Sequence, residues 1–175
     1  MFERSPFWSA PPVWSSACVE RAGLRITAIE APALLLSGAV DAWLSRRECP
    51  CVGPREICDA TGYALRLAPD TVLLVGAADI APGWHADAQL AVSEAGDAWV
   101  LIDVLGERAT DVMAQGSELE LATVAGPAGE SARLLFAGMV VAVSRRPAGW
   151  RLHVDRAWAP ALWRWLEVHA DAAAS

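Results

Sequence analysis

Two short segments carry the residue types of acid–base chemistry, His85-Ala86-Asp87 and His153-Val154-Asp155. On a strand, residues two apart share a face, so each aspartate could orient its imidazole. Nucleophilic catalysis also needs an attacking side chain, and none is visible. There is no G-x-S-x-G, and no cysteine has a recognised catalytic neighbourhood. His153 alternates with Trp150, Leu152 and Val154, which places it on the solvent side of a strand. Both histidines therefore read as surface polar residues. Cys49-Pro50-Cys51 and Cys58 share one loop, with Cys18 far away in sequence. Tetrahedral zinc takes two short-spaced ligand pairs. One C-x-C with irregular companions and no nearby histidine favours buried or incidental thiols over a metal site. Gly126-Pro127-Ala128-Gly129-Glu130-Ser131 has the glycine content of a phosphate loop, but its acid would repel phosphate, so it reads as a surface turn. No catalytic, cofactor-binding or metal-ligating residue is assigned.

Composition removes further classes. All 14 cationic residues are arginine. Without lysine there is no Walker A loop, no protein-kinase site and no Schiff base. Without asparagine there is no glycosylation sequon. G-x-G-x-x-G after a strand, H-E-x-x-H and acidic calcium loops are also missing from the sequence. A net charge of −7 has the wrong sign for nucleic acid or an anionic membrane. Met1-Phe2-Glu3-Arg4-Ser5-Pro6 lacks the basic start and apolar run of a signal peptide. The longest apolar run, Leu134–Val143, is broken by Gly138 and falls well short of the ~20 residues a span needs. The expectation is a cytoplasmic protein with reduced thiols.

The elements that would position these residues suit an α+β domain with mostly antiparallel sheets. Residues 1–22 form an aromatic arm in which Phe2, Phe7, Trp8 and Trp14 lie among prolines and serines with no period. Two readings stay open: an arm packed on its own domain, or aromatics that anchor a partner. Residues 23–170 form one domain, followed by a tail at 171–175. Strands are expected at Leu24–Ala28, Ala33–Leu36, Tyr63–Leu67, Val72–Val75, Trp99–Leu105, Arg133–Phe136, Met139–Ser144 and Trp150–Val154, with an extended stretch at Leu119–Val124. Pro69-Asp70 marks a tight turn. Helices are expected at Val40–Arg47, Gly83–Leu90, Glu107–Ala114 and about Ala157–Ala170, with Gly116 as a C-cap. In the last helix Trp158, Leu162, Trp165 and Leu166 form the core stripe, which leaves Trp163 as a surface anchor. A faint duplication is legible. Leu35-Leu36-Ser37-Gly38 before a helix recurs as Val104-Leu105-Gly106 before another, and Pro69–Val75 is echoed by Ala148–Val154.

Three segments carry a family resemblance. Asp111-Val112-Met113-Ala114-Gln115-Gly116-Ser117-Glu118-Leu119-Glu120-Leu121 resembles the helix–glycine–strand segment of the gamma subunit of heterotetrameric sarcosine oxidase. Gly149–Leu166 is similar to that family's C-terminal strand and "LWxWL"-like helix, and Leu67–Gly76 to its "LGPDEWLLVG"-like strand. The likeness spans roughly residues 23–168. The chain departs from it at Thr71-Val72, where the family has Glu-Trp, and at Asp103, where it tends to be basic. The resemblance implies a folate-binding aminomethyltransferase-like fold built of two duplicated half-units, and a place in one-carbon metabolism. It implies a non-catalytic companion that docks on the alpha subunit, with the flavins in the alpha and beta subunits and no cofactor in this chain. The alternative is a stand-alone folate or other small-molecule binding module with its pocket between the halves. Self-association is expected when the partner is missing.

Overall fold

The computed structural model describes residues 10–47, 49–53, 57–76, 79–117 and 133–172. The strands are β1 (Cys18–Arg21), β2 (Leu24–Ile29), β3 (Ala33–Gly38), β4 (Cys51–Val52), β5 (Tyr63–Ala68) and β6 (Thr71–Val75), then β7 (Gly83–His85), β8 (Leu90–Glu94), β9 (Trp99–Leu105), β10 (Arg133–Phe136), β11 (Met139–Arg146) and β12 (Gly149–Asp155). The helices are α1 (Val40–Leu44), α2 (Ala109–Gly116) and α3 (Ala159–Ala172). They build two six-stranded sheets, ordered β1-β2-β9-β12-β11-β10 and β4-β5-β6-β3-β8-β7. Every pairing is antiparallel except the short β4–β5 ladder.

The order reveals a duplication with exchanged hairpins. The first half runs β1-β2, then β3-α1-β4-β5-β6; the second runs β7-β8, then β9-α2-β10-β11-β12. Each half lends its leading hairpin to the other half's sheet. The turns repeat in detail. Gly38 and Gly106 end the equivalent strands β3 and β9 with φ of 120° and 110°. Their amides donate to Asp70 and Ala148 carbonyls at 2.9 and 2.8 Å. A Cβ there would sit 2.3 Å from the Gln89 oxygen and 2.4 Å from the Gly23 oxygen, each in the turn of the lent hairpin. The strand ends match as well. Gly76 after β6 donates to Pro32, and Arg156 after β12 donates to Ala98, both at 2.8 Å.

Burial divides the molecule into layers. One face of the first sheet packs Ile26, Ile102, Val104, Trp150 and Leu152 against α2 and α3. The outer face of the second sheet packs Leu36, Val72, Leu74 and Leu90 against Val40 and Trp43 of α1. Between the sheets lie Tyr63, Leu65, Leu73, Leu101 and Ala142. A fully buried leucine contributes about 1.5–3 kcal/mol, so each of these layers is a major source of stability.

Several expectations are corrected. Gly83–Leu90 is not a helix; it is β7 and a 3-10 turn at Ala86–Ala88, and the strand β8 that follows completes the lent hairpin. The boundary drawn at residue 22 falls inside the β1–β2 turn, so the regular fold reaches back to Cys18. Trp14 is buried and meets Trp163 edge to face at 6.1 Å, so this part of the arm packs on its own domain. Trp163 is only 4% exposed, whereas Trp158 is 58% exposed. The helix starts at Ala159, so its buried stripe is Ala159, Leu162, Trp163, Leu166 and Ala170, and Trp158 falls before the first turn. Gly116 is the last helical residue, and its small size matters more than capping: a Cβ there would lie 2.4 Å from the Phe136 ring. Leu119–Val124, Phe2, Phe7 and Trp8 lie outside the described residues.

Gly38→Ala and Gly106→Ala force both a positive φ and a clash with backbone oxygen. Each is expected to lower unfolding stability by about 2 kcal/mol or more in urea. Gly62→Ala, whose Cβ would meet its nearest atom at 3.8 Å, serves as the control and is expected to stay within about 1 kcal/mol of the parent.

Candidate functional site

The residues that converge are not the pairs singled out by sequence. β9 and β12 put Asp103 directly opposite Arg151 on the face that looks toward the second sheet. Arg151 holds Asp103 through Nε at 2.6 Å and Nη2 at 2.8 Å, a bidentate pair. Its Nη1 donates across the layer to Tyr63 Oη at 3.3 Å. Tyr63 Oη and His153 Nε2 are 2.7 Å apart, and His153 Nδ1 lies 3.2 Å from the Ala142 carbonyl.

Donor and acceptor roles follow from that carbonyl. It can only accept, so His153 carries its proton on Nδ1, and Nε2 accepts from Tyr63 O–H. Tyr63 oxygen then accepts from Arg151. The chain runs one way, Arg151 to Tyr63 to His153 to Ala142, and each bond polarises the next. Tyr63 and His153 are fully buried, and Arg151 and Asp103 side chains are 10% exposed. Ser144, the cross-strand neighbour of Arg151, is buried with its hydroxyl unpartnered among the described residues.

Burial sets the proton affinities. It lowers His153 to about 3 against the help of the Ala142 carbonyl, and the positive Arg151 and Arg146 push the same way. The imidazole is thus neutral at physiological pH. Burial raises the Tyr63 hydroxyl, with Arg151 opposing. Burial is the largest influence on Arg151 and opposes its charge, but the hydrogen bonds and charges of Asp103 and Tyr63 together outweigh it and its pKa is raised. All four side chains are buried or nearly so. The cluster is a polar clamp that joins the two sheets.

His153 was expected on the solvent side. That reading is overturned, because the second sheet covers the face of β12 that alternation left to water. Asp155 does not orient it; Asp155 Oδ1 accepts from the Ala157 amide at 2.8 Å and starts the turn into α3. His85 Nε2 bonds the Ala81 carbonyl at 2.7 Å, and Asp87 lies in the following 3-10 turn, not on the strand. Cys18 is exposed, 3.9 Å from Thr27 Oγ1. Cys49 and Cys51 are half-buried and Cys58 is buried, all as free thiols. Burial, then the neighbouring Cys51 and Cys58, push the Cys49 thiol up, away from the thiolate that metal or nucleophile chemistry uses. Among the described residues no three His, Cys, Asp or Glu side chains come together as metal ligands. Gly126–Ser131 lie outside the described residues. Asp103, Arg151 and Tyr63 went unassigned in the sequence. The available signal was one acid inside the otherwise apolar strand Trp99–Leu105, which demands a buried cation.

No family profile matches the chain, and no curated protein does. Among solved structures it is similar to a chain of the heterotetrameric sarcosine oxidase from Corynebacterium sp. U-96, in complex with pyrrole 2-carboxylate. The TM-score is 0.64 at 15% identity, over 85% of this chain and 84% of that one. The two coverages are nearly equal, so the matched chain is about as long as this one. The fold is therefore that of a chain of this oxidase. No helix among the described residues is long and apolar enough to cross a membrane.

Tyr63→Phe leaves Arg151 Nη1 and His153 Nε2 without their partner, and is expected to cost about 1–3 kcal/mol in urea unfolding. For His153 the unfolded chain binds the extra proton, since its unfolded pKa of about 6.5 lies above the folded value. Stability is then full above pH 6.5 and falls as pH drops. Between pH 7 and pH 5 the loss is expected to be about 2 kcal/mol, and His153→Gln should abolish that slope.

Proposed function

We propose that this chain is a gamma-type, non-catalytic subunit that docks on the large alpha subunit of a sarcosine-oxidase-like complex. The observation that carries the reading is a likeness of fold to an oxidase chain over 85% of this chain and 84% of that one. The sealed clamp supports it. The titratable groups that converge are consumed in holding the sheets together, so the reactive chemistry belongs to partner chains. On this reading the duplicated halves form a folate-binding aminomethyltransferase-like fold that is used as a scaffold. The stand-alone folate module is the weaker reading, because the space between the halves is filled by the clamp and by apolar side chains.

The test is purification of the tagged chain from its native organism. A flavin-absorbing polypeptide of larger size, identified by mass spectrometry, is expected to co-elute in fixed ratio. Elution of the chain alone, with no flavoprotein at low salt, contradicts the proposal.

A further inference from the structure

The two halves are not equally finished. After β12 the chain turns at Arg156 and lays α3 along the outer face of the first sheet, where Leu162, Trp163 and Leu166 fill the core. After β6 the equivalent residue is Gly76, with the same hydrogen bond, but β7 begins at Gly83 and the described residues between them hold no helix. Among the described residues, the second sheet has the short α1 as its one helix on that face. Near Gly76 the surface dips into a hollow of about 600 Å³ lined by Pro32, Leu34, Ile80, Pro82, Glu94 and Asp97. Leu34 and Ile80 are only partly buried against the apolar cluster beneath. Glu94 and Asp97 are exposed, and among the described residues neither carboxylate has an ion-pair partner. The adjacent guanidinium, Arg156, donates instead to the Asp97 carbonyl at 2.5 Å and to Glu30 at 3.5 Å.

We infer that this hollow, where the first half lacks the closing helix of the second, receives a segment of the partner subunit that carries a cationic side chain among apolar ones. The inference rests on the docking role proposed above and assigns it a face. α3 shows what the equivalent position accepts in this same architecture, an apolar stripe laid on the sheet. The two exposed carboxylates on the rim supply charge complementarity, which selects a basic partner segment and speeds its encounter. An arginine suits the site best, since its stem can lie on Pro32 and Ile80 while its fork meets a carboxylate.

The experiment uses the full chain and its co-purified flavin-carrying partner, with affinity measured by titration at low and high salt. The double variant Glu94→Arg/Asp97→Arg is expected to bind about tenfold or more weaker at low salt. The salt sensitivity of the parent should largely disappear with it. Glu107→Arg/Asp111→Arg, at two exposed acids just before and within α2, makes the same change of charge elsewhere and should bind as the parent does. Thermal unfolding checks that each variant is folded. If the parent binds its partner and the double variant binds equally well, this face is overturned while the docking role stands. If the parent binds no flavoprotein, both fall.

Discussion

The buried Asp103–Arg151 pair, extended through Tyr63 to His153, is the constraint on which the rest of the arrangement depends. Two charges removed from water are tolerated only when each is fully hydrogen-bonded. Here both lie on the first sheet, and the Nη1 donor of Arg151 reaches its acceptor only if Tyr63 of the second sheet is in place. The pairing of the sheets is therefore specified by polar geometry as well as by apolar area. Across the gap, the hydrogen bonds of Tyr63 to Arg151 and His153 add directional contacts to the apolar layers.

That constraint also fixes the state of His153. The imidazole that sequence might nominate as a base is neutral and sealed, its Nε2 committed to Tyr63 and its Nδ1 to a backbone carbonyl. The exchanged hairpins reinforce the closure, since each half must pair with the other to complete its sheet. Such a body is well suited to present a fixed outer surface. The uneven finish of the two outer faces, one closed by α3 and one left with a hollow, then gives that surface a direction.

Local chemistry made much of the fold legible. The Pro69-Asp70 turn, the strand–glycine–helix repeat at Gly38 and Gly106 and the closing helix all follow from backbone rules that act within a few residues. Tertiary cover was not legible. Alternation along Trp150–Val154 implies one wet face, yet a second sheet dries both, which is why His153 was misplaced. The same limit applied to Trp163. A helical stripe phased from Trp158 points it outward, but Trp158 lies before the helix, and the stripe runs through Ala159, Leu162, Trp163 and Leu166 instead. Gly83–Leu90 read as a helix because a three-residue edge strand is too short to show a period of two.

Nitrogen-15 NMR of histidine-labelled protein tests the central claim most directly, because it reads the protonation and tautomer of His153 one atom at a time. A neutral ring with its proton on Nδ1, unchanged from pH 7.5 to pH 5, is expected. A His153 signal that titrates with an ordinary midpoint near pH 6.5, or one protonated on Nε2, would mean that the clamp is open to water. The sealed interior would then be wrong.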